Sequence, residues 1–214
     1  MTIDALTPEQ VQACFAYVAT HMIESKELLT HADQAIGDGD HGIGMARGFE
    51  AVVAKIQNST FTSIEEIFRN VGFTLLSSIG GASGVIFGSF FIGAANGLKG
   101  QSQLNSLTYA KALQAGLEMV QKRGKAKVGD KTMVDALAPA VQTALVNSNK
   151  SLDECSTFVY EAADAGKEKT KEFIATTGKA KTLGERSLGH ADPGAISMAL
   201  ILRFVYEYIE GLVQ

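Results

Sequence analysis

The stretch Asn70–Leu98, NVGFTLLSSIGGASGVIFGSFFIGAANGL, contains no charged residue. A membrane-spanning helix needs about 20 apolar residues, so length alone would permit one here. Composition argues against it, because seven glycines and four serines interrupt the run and Gly80-Gly81-Ala82-Ser83-Gly84 stands in its middle. A break at that point would leave backbone N–H and C=O groups unsatisfied in lipid. The stretch reads as two buried helices joined by a glycine loop, and no membrane partner is expected.

Outward from this stretch the periodicity is helical in both directions. Thr7-Pro8-Glu9-Gln10 combines an N-cap, a proline at the first helical position and a capping-box Gln ahead of the stripe Val11, Cys14, Phe15, Val18 and Met22. Ser63-x-x-Glu66 and Ser151-x-x-Glu154 predict two more capping boxes, preceding Ile64, Ile67, Phe68, Val71, Leu75 and Phe158, Val159, Ala162, Ala163. Further stripes are Ile43, Ala46, Phe49, Val53, Ile56, then Leu107, Leu113, Leu117, Val120, then Met133, Leu137, Val141, Leu145. A last helix starts at Asp192-Pro193 and continues through Met198, Ile201, Leu202, Val205 and Ile209. The pattern predicts eight helices and no alternating strand, with Pro139 bending the sixth helix. With 214 residues, 46% of them apolar, and neither a Ser/Gly linker nor an internal repeat, one all-α domain over residues 1–214 is expected.

Charge and cysteine usage narrow the function. The chain carries 19 Lys+Arg against 23 Asp+Glu, a net charge of -4, and no basic run, so nucleic acid is not an expected partner. Cys14 and Cys155 belong to no CxxC and imply neither a disulfide framework nor a zinc cluster. Met1-Thr2-Ile3-Asp4 does not read as the start of a signal peptide, and a cytoplasmic location is expected.

The densest chemical constellation is Asp33-Gln-Ala-Ile-Gly37-Asp38-Gly39-Asp40-His41-Gly42-Ile43-Gly44. Its three carboxylates repel one another, and no Lys or Arg lies between Lys26 and Arg47 to neutralise them. A hard dication is the natural counter-ion, and oxygen ligands on a flexible turn suit magnesium or calcium rather than zinc. An EF-hand fails, because Ile43 stands where its loop needs glycine and Phe49 where it needs a bidentate Glu. Gly37-x-Gly39-x-x-Gly42 also matches a dinucleotide fingerprint, but no strand precedes it and Asp38 and Asp40 would face the pyrophosphate unless a metal lay between. A plain solvated turn is the remaining alternative.

Three further polar glycine loops punctuate the helices. Gly80 to Gly84 suits phosphate oxygens, and Gly124-Lys-Ala-Lys-Val-Gly129-Asp130-Lys131-Thr132 departs from a P-loop by Asp130 before the lysine and by the helix preceding it. Leu183-Gly184-Glu185-Arg186-Ser187-Leu188-Gly189-His190-Ala191-Asp192-Pro193-Gly194 adds an arginine. Acids for magnesium, a Gly/Ser loop for phosphates and an arginine for spreading charge are the parts phosphoryl transfer needs.

IGDGDHG at 36–42, LLSSIGGASG at 75–84, KRGKAKVGDKTMVD at 122–135 and LGERSLGHADPGA at 183–195 together resemble the ADP-binding L subunits of phosphotransferase-system-dependent dihydroxyacetone kinases. The resemblance covers essentially the whole chain. It implies an eight-helix antiparallel barrel with the nucleotide at one end, and two magnesium ions held by Asp33, Asp38 and Asp40. It places nucleotide contacts at His41, Gly42, Ile43, Gly44, Ala82, Ser83, Gly124, Met133, Arg186, Asp192, Pro193 and Gly194, with Arg186 also catalytic. In that family ADP is a resident cofactor. A phosphohistidine of the carrier M subunit phosphorylates it in place, and the resulting ATP phosphorylates dihydroxyacetone on the K subunit. The expected partners are those two subunits, a second copy of this chain and, as in some members, a transcriptional regulator. Alternatives are a subunit acting on another short ketose, an ATP-dependent kinase domain, whose fused substrate domain has no room here, and a purely regulatory nucleotide-loaded subunit. Val85 stands where the family often has proline, and Lys181-Thr182 replaces a Ser-aromatic pair.

Single residues carry their own readings. His41 is expected to touch phosphate, and Arg186 to bind phosphate rather than pair with Glu185. Asp192 can cap the last helix and meet nucleotide together. His21 reads as a core or boundary residue, and Ser77 and Ser78 as buried helix hydroxyls.

Overall fold

The computed structural model describes residues 2–213. Among them nine α-helices alternate with short turns: α1 Pro8–Glu24, α2 Lys26–Ile36, α3 His41–Gln57, α4 Ile64–Ser78, α5 Gly81–Gly97, α6 Ser106–Gly124, α7 Met133–Val146, α8 Leu152–Lys169 and α9 Pro193–Val213. Eight of these close a ring. Each of α3 to α9 packs against the next in sequence, and α1 joins α9 on one side and α3 on the other. Short connections force consecutive helices antiparallel, so the ring is the expected eight-helix antiparallel barrel. The helix beyond the expected eight is α2, which lies outside the ring against α3 and α9.

The helix α2 carries a stripe of its own, Leu29, Ala32 and Ile36, but it is only 11 residues long, no side chain caps its start at Ser25, and it runs straight into the acid turn at Gly37. Two strands, β1 Ala5–Leu6 and β2 Leu104–Asn105, form a small antiparallel ladder ahead of α1 and α6. The barrel interior is one continuous apolar core. Phe15 meets Phe68 edge-on at 4.8 Å between ring centroids and Phe91 at 5.7 Å, and truncating a buried ring of this kind costs about 3–5 kcal/mol. Cys14 and Cys155 are buried free thiols, and burial pushes Cys14 up to about 12.

The charge-free stretch Asn70–Leu98 is the second half of α4 and all of α5, broken between Ser78 and Gly81. Its glycines set interhelical distance. A Cβ at Gly72 would lie 3.0 Å from the Gly88 carbonyl oxygen, and one at Gly88 would lie 2.9 Å from that of Gly72. The α4 and α5 backbones thus touch at this crossing, which any larger residue would push apart. No described helix is long and apolar enough to cross a membrane.

Helix starts follow the sequence reading with one correction. Thr7 and Gln10 form the expected capping box, and Ser63 accepts the Glu66 N–H. Ser151 makes no side-chain cap; the Ile3 carbonyl instead accepts the N–H groups of Leu152 at 2.8 Å and Asp153 at 3.3 Å. A neighbouring strand therefore does the work assigned to the serine. Asn105–Thr108 and Thr132–Asp135 are capping boxes that S/T-x-x-E/Q patterning overlooks. Ser77 is exposed and Ser78 half-buried, contrary to expectation, because they end α4 where it leaves the core. Ile43, Leu107 and Leu145 are exposed for the same reason, in the first or last turn of their helices. Phe158 lies off the buried face of α8, with the Lys150 ammonium 5.4 Å from its ring centroid.

Candidate functional site

The ring is open at one end onto a cavity of about 480 Å³, within the usual range for a small-molecule site. Its wall is built from the starts of four helices: His41, Ile43 and Gly44 of α3, Gly81, Ala82 and Ser83 of α5, Met133 of α7, and Pro193 and Gly194 of α9. Helix N-termini carry unpaired N–H groups and the positive end of the helix dipole, so four converging starts make an anion-attracting floor. The N-cap residues of α3 and α5, Asp40 and Gly80, make no side-chain cap bond. Gly80 has φ +82°, a left-handed value that glycine adopts without steric cost. By contrast α7 and α9 are capped, by Thr132 on the Val134 N–H and by Asp192 on the Ala195 N–H at 2.7 Å.

At the rim α2 delivers Asp33, buried, and the following turn presents Asp38 and Asp40, both exposed. One carboxylate oxygen from each lies within 4.8 Å of the others. The Asp33 Oδ2 also accepts the His41 N–H at 3.1 Å, fixing α2 to the first turn of α3. Three hard oxygen donors converging at the edge of a cavity fit magnesium better than any soft metal. Lys179 provides the local counter-charge, its ammonium bonding to Asp38 and, at 3.0 Å, to Asp40. These bonds hold Asp38 below the usual carboxylate range and raise Lys179 above the usual lysine value.

His41 is buried between two serines, its Nε2 2.7 Å from Ser197 Oγ and its Nδ1 3.3 Å from Ser83 Oγ. Burial lowers its pKa below the ordinary histidine value, favouring the neutral ring. Asp192 is pushed up to about 7 by burial. Arg47 reaches from α3 to the C-terminal carbonyls of α4, donating to Ser78 at 2.7 Å and to Ile79, where a cation complements the helix dipole.

Most of the residues singled out in the sequence meet here: Asp33, Asp40, His41, Ile43, Gly44, Ala82, Ser83, Met133, Asp192, Pro193 and Gly194 all line the cavity. Asp38 stands at its edge through the acid cluster. Gly42 turns toward α2, where a Cβ would lie 2.3 Å from the Lys26 carbonyl oxygen. Gly124 sits behind the cavity wall, 3.1 Å from Ile86 Cδ1 to a Cβ placed on it. Arg186 is exposed on the 3-10 segment Lys179–Ser187 and does not line the cavity. Sequence reasoning missed Lys179, Arg47 and Lys131, which the fold brings to the wall from distant segments. Only their placement within glycine loops or on a stripe-bearing helix marks them locally.

A helical barrel with three clustered carboxylates and four helix starts at its open end defines the class, and the chain belongs to the DAK2-domain family, whose model matches residues 35–207. It is 40% identical over 178 residues to the PEP-dependent dihydroxyacetone kinase 1, ADP-binding subunit DhaL, of Listeria innocua, covering 83% of this chain and 85% of that protein. It is likewise 40% identical over 184 residues to the PEP-dependent dihydroxyacetone kinase, ADP-binding subunit DhaL, of Escherichia coli, covering 84% and 86%. The crystal structure of the dihydroxyacetone kinase of C. freundii in complex with AMP-PNP and Mg2+ superposes with a TM-score of 0.74 at 26% identity. That match covers 96% of this chain and 35% of that one, so the chain spans about a third of the solved kinase.

Proposed function

We propose that this chain is the ADP-carrying subunit of a phosphoenolpyruvate-dependent dihydroxyacetone kinase, a phosphotransferase that works in the cytoplasm as one barrel domain. The observation that carries this reading is the convergence of Asp33, Asp38 and Asp40 beside two helix starts, of α3 and α5, whose N-cap residues make no cap bond. The relatives named ADP-binding subunits, 40% identical, support it.

In this reading the three aspartates hold two magnesium ions. Bound there, magnesium neutralises charge between carboxylates and phosphate oxygens and acts as a Lewis acid at the phosphoryl group. The N–H groups of Gly42, Ile43, Ala82 and Ser83 belong to the first turns of α3 and α5 and would donate to phosphate oxygens. His41, locked between Ser83 and Ser197, keeps the two first turns in register. Met133, Asp192, Pro193 and Gly194 face the remaining wall and hold the nucleoside, with Gly124 supporting that wall from behind. A phosphohistidine carrier subunit charges the resident nucleotide, and a dihydroxyacetone-holding subunit docks over the acid rim to receive the phosphoryl group. Arg186, from the exposed 3-10 segment, turns inward on docking and stabilises charge on the transferring group.

The first test is the purified protein denatured and its released nucleotide identified: about one ADP per chain is expected, and apo protein indifferent to ADP and magnesium in calorimetry would end the proposal. The second is reconstitution with phosphoenolpyruvate, the general phosphotransferase proteins and the two partner subunits. Turnover is expected there and not with the chain alone. Arg186→Ala should slow transfer more than it weakens ADP binding. Rapid turnover on free ATP without a carrier would point to an ATP-dependent kinase, and bound ADP without turnover from either donor to a regulatory subunit that meets a transcription factor. The mass of the ADP-loaded protein in solution tests the expected homodimer.

A further inference from the structure

Between α8 and α9 the chain leaves the ring for the excursion 170–192, which carries Lys179 to the acid rim and presents Arg186. The two ends of this excursion meet at one buried point. The Lys131 ammonium, from the turn ahead of α7, donates to the carbonyl oxygens of Thr170 and, at 2.6 Å, of His190. Lys131 is 2% exposed and has φ +61°, a left-handed backbone that a lysine adopts only under constraint. Two further bonds close the same point: the Gly189 N–H donates to the Lys171 carbonyl at 2.8 Å and the Asp192 N–H to the Thr170 side-chain Oγ1 at 2.9 Å.

A lysine is a costly residue to bury, and an apolar side chain of similar length would fill the space without desolvating a charge. What it supplies instead is a multiple donor that ties two carbonyls at once. Burial lowers its pKa, while Asp192 and Asp135 favour its charged form. The turn that bears Lys131 continues directly into Thr132 and Met133 of the cavity wall, and His190 lies two residues before Asp192. One side chain thus connects the wall formed by α7 and α9 with the segment that crosses the acid rim.

We propose that Lys131 is a positioning residue, the clasp that holds the base of the 170–192 excursion shut and so keeps Lys179 at the acid rim beside a bound nucleoside diphosphate, with Arg186 carried on the same segment. The inference rests on the nucleotide reading for its ligand, but not for the clasp itself.

The test uses the full chain as wild type, Lys131→Met and Lys131→Arg, with three readouts: tryptic cleavage within 171–189, release of a fluorescent ADP analogue in magnesium, and melting without nucleotide. Lysine and arginine side chains at 171, 179, 181 and 186 make the excursion a ready trypsin target. Loss of a charged clasp should raise cleavage there by a factor of about ten or more, because local opening scales with the lost hydrogen bonds. Analogue release should quicken in parallel. Lys131→Arg, which keeps the charge and the donors, should restore most of both.

Wild-type cleavage and release rates in Lys131→Met would overturn the clasp, as would Lys131→Arg behaving like Lys131→Met. Where Lys131→Met does not fold, amide exchange on the wild type decides: the Gly189 and Asp192 N–H groups should exchange slowly, and rapid exchange at both would overturn it. A protein that holds no ADP analogue yet shows the cleavage contrast supports the clasp and overturns the nucleotide reading alone.

Discussion

Four ring helices start at the cavity and four at the opposite end, and the two sets differ in how their first turns are satisfied. At the far end Thr7, Ser63 and Asn105 cap α1, α4 and α6 with their own side chains, and the Ile3 carbonyl serves α8. At the cavity α7 and α9 are capped by Thr132 and Asp192, but Asp40 and Gly80 make no cap bond to α3 and α5, and Asp33 takes only the His41 N–H of α3. A missing cap costs about 1 kcal/mol, which a purely structural helix start would have little reason to bear. The difference separates donors used to hold the barrel together from donors kept open for a ligand.

The largest expected effect breaks the comparison at the cavity end. Saturating ADP with magnesium, at about a thousand times the dissociation constant, should stabilise the wild type by about 4 kcal/mol, or roughly 10 °C for a chain of this size. Asp38→Asn and Asp40→Asn should each lose most of that shift in a thermal melt. A full shift in either variant would return the acids to a solvated turn.

A second prediction concerns pH and the capped side of the same cavity. The Asp192 carboxyl is raised from 3.8 to about 7 by burial, so the fold favours its protonated form. The stability this contributes is present below the unfolded value and is lost as pH rises through about 7. Asp192→Asn keeps a cap acceptor for the Ala195 N–H and cannot ionise, so its nucleotide-free stability should fall less between pH 4 and 7 than that of the wild type. Parallel denaturation curves for the two proteins over that window would show that Asp192 does not titrate there.

At the far end, Thr7→Ala and Asn105→Ala should each cost about 1 kcal/mol, or roughly 3 °C, with ADP affinity unchanged. Weakened nucleotide binding in either would mean that the two ends are not separate in function. The smallest expected effect is at the rim. Lys179 is exposed and shares its carboxylates with any incoming dication, so Lys179→Ala should leave the nucleotide-free melting temperature almost unchanged while lowering the magnesium concentration at half-saturation a few-fold. A higher half-saturation point would show that the lysine assists metal binding.

The ring was legible because seven of its helices keep an apolar face at helical spacing and α5, apolar on every side, stands out by its missing charges; the acid turn was legible because Asp33, Asp38 and Asp40 lie close in sequence with no cation between them. What stayed hidden has physical reasons. The helix α2 has a stripe at Leu29, Ala32 and Ile36, but it is short, starts at Ser25 without a side-chain cap and shares its last turn with the acid constellation, so no start signal marks it off as a helix. Ser151 matched a capping pattern, yet a carbonyl from residue 3 reached its helix first. Lys131 and Lys179 act on partners 39 to 141 positions away in sequence, and no local spacing encodes that distance. Arg186, prominent in its motif, lies outside the cavity wall, since motif membership does not by itself set a side chain's direction.

The order of helices around the ring also bears on how the chain acquires its shape. From α3 to α9 each helix packs against the next helix along the chain, and every such pairing but that of α8 with α9 closes only a short loop. The contact of α1 with α9 joins elements at opposite extremes of the described residues. Local pairings carry little loop-closure entropy and form early, whereas this single seam must await the rest. The barrel should therefore fold as a growing arc that shuts last between α1 and α9. Substitutions on that seam, such as Phe204→Ala, which removes the ring 5.2 Å from His21, would then speed unfolding and leave the folding rate nearly untouched.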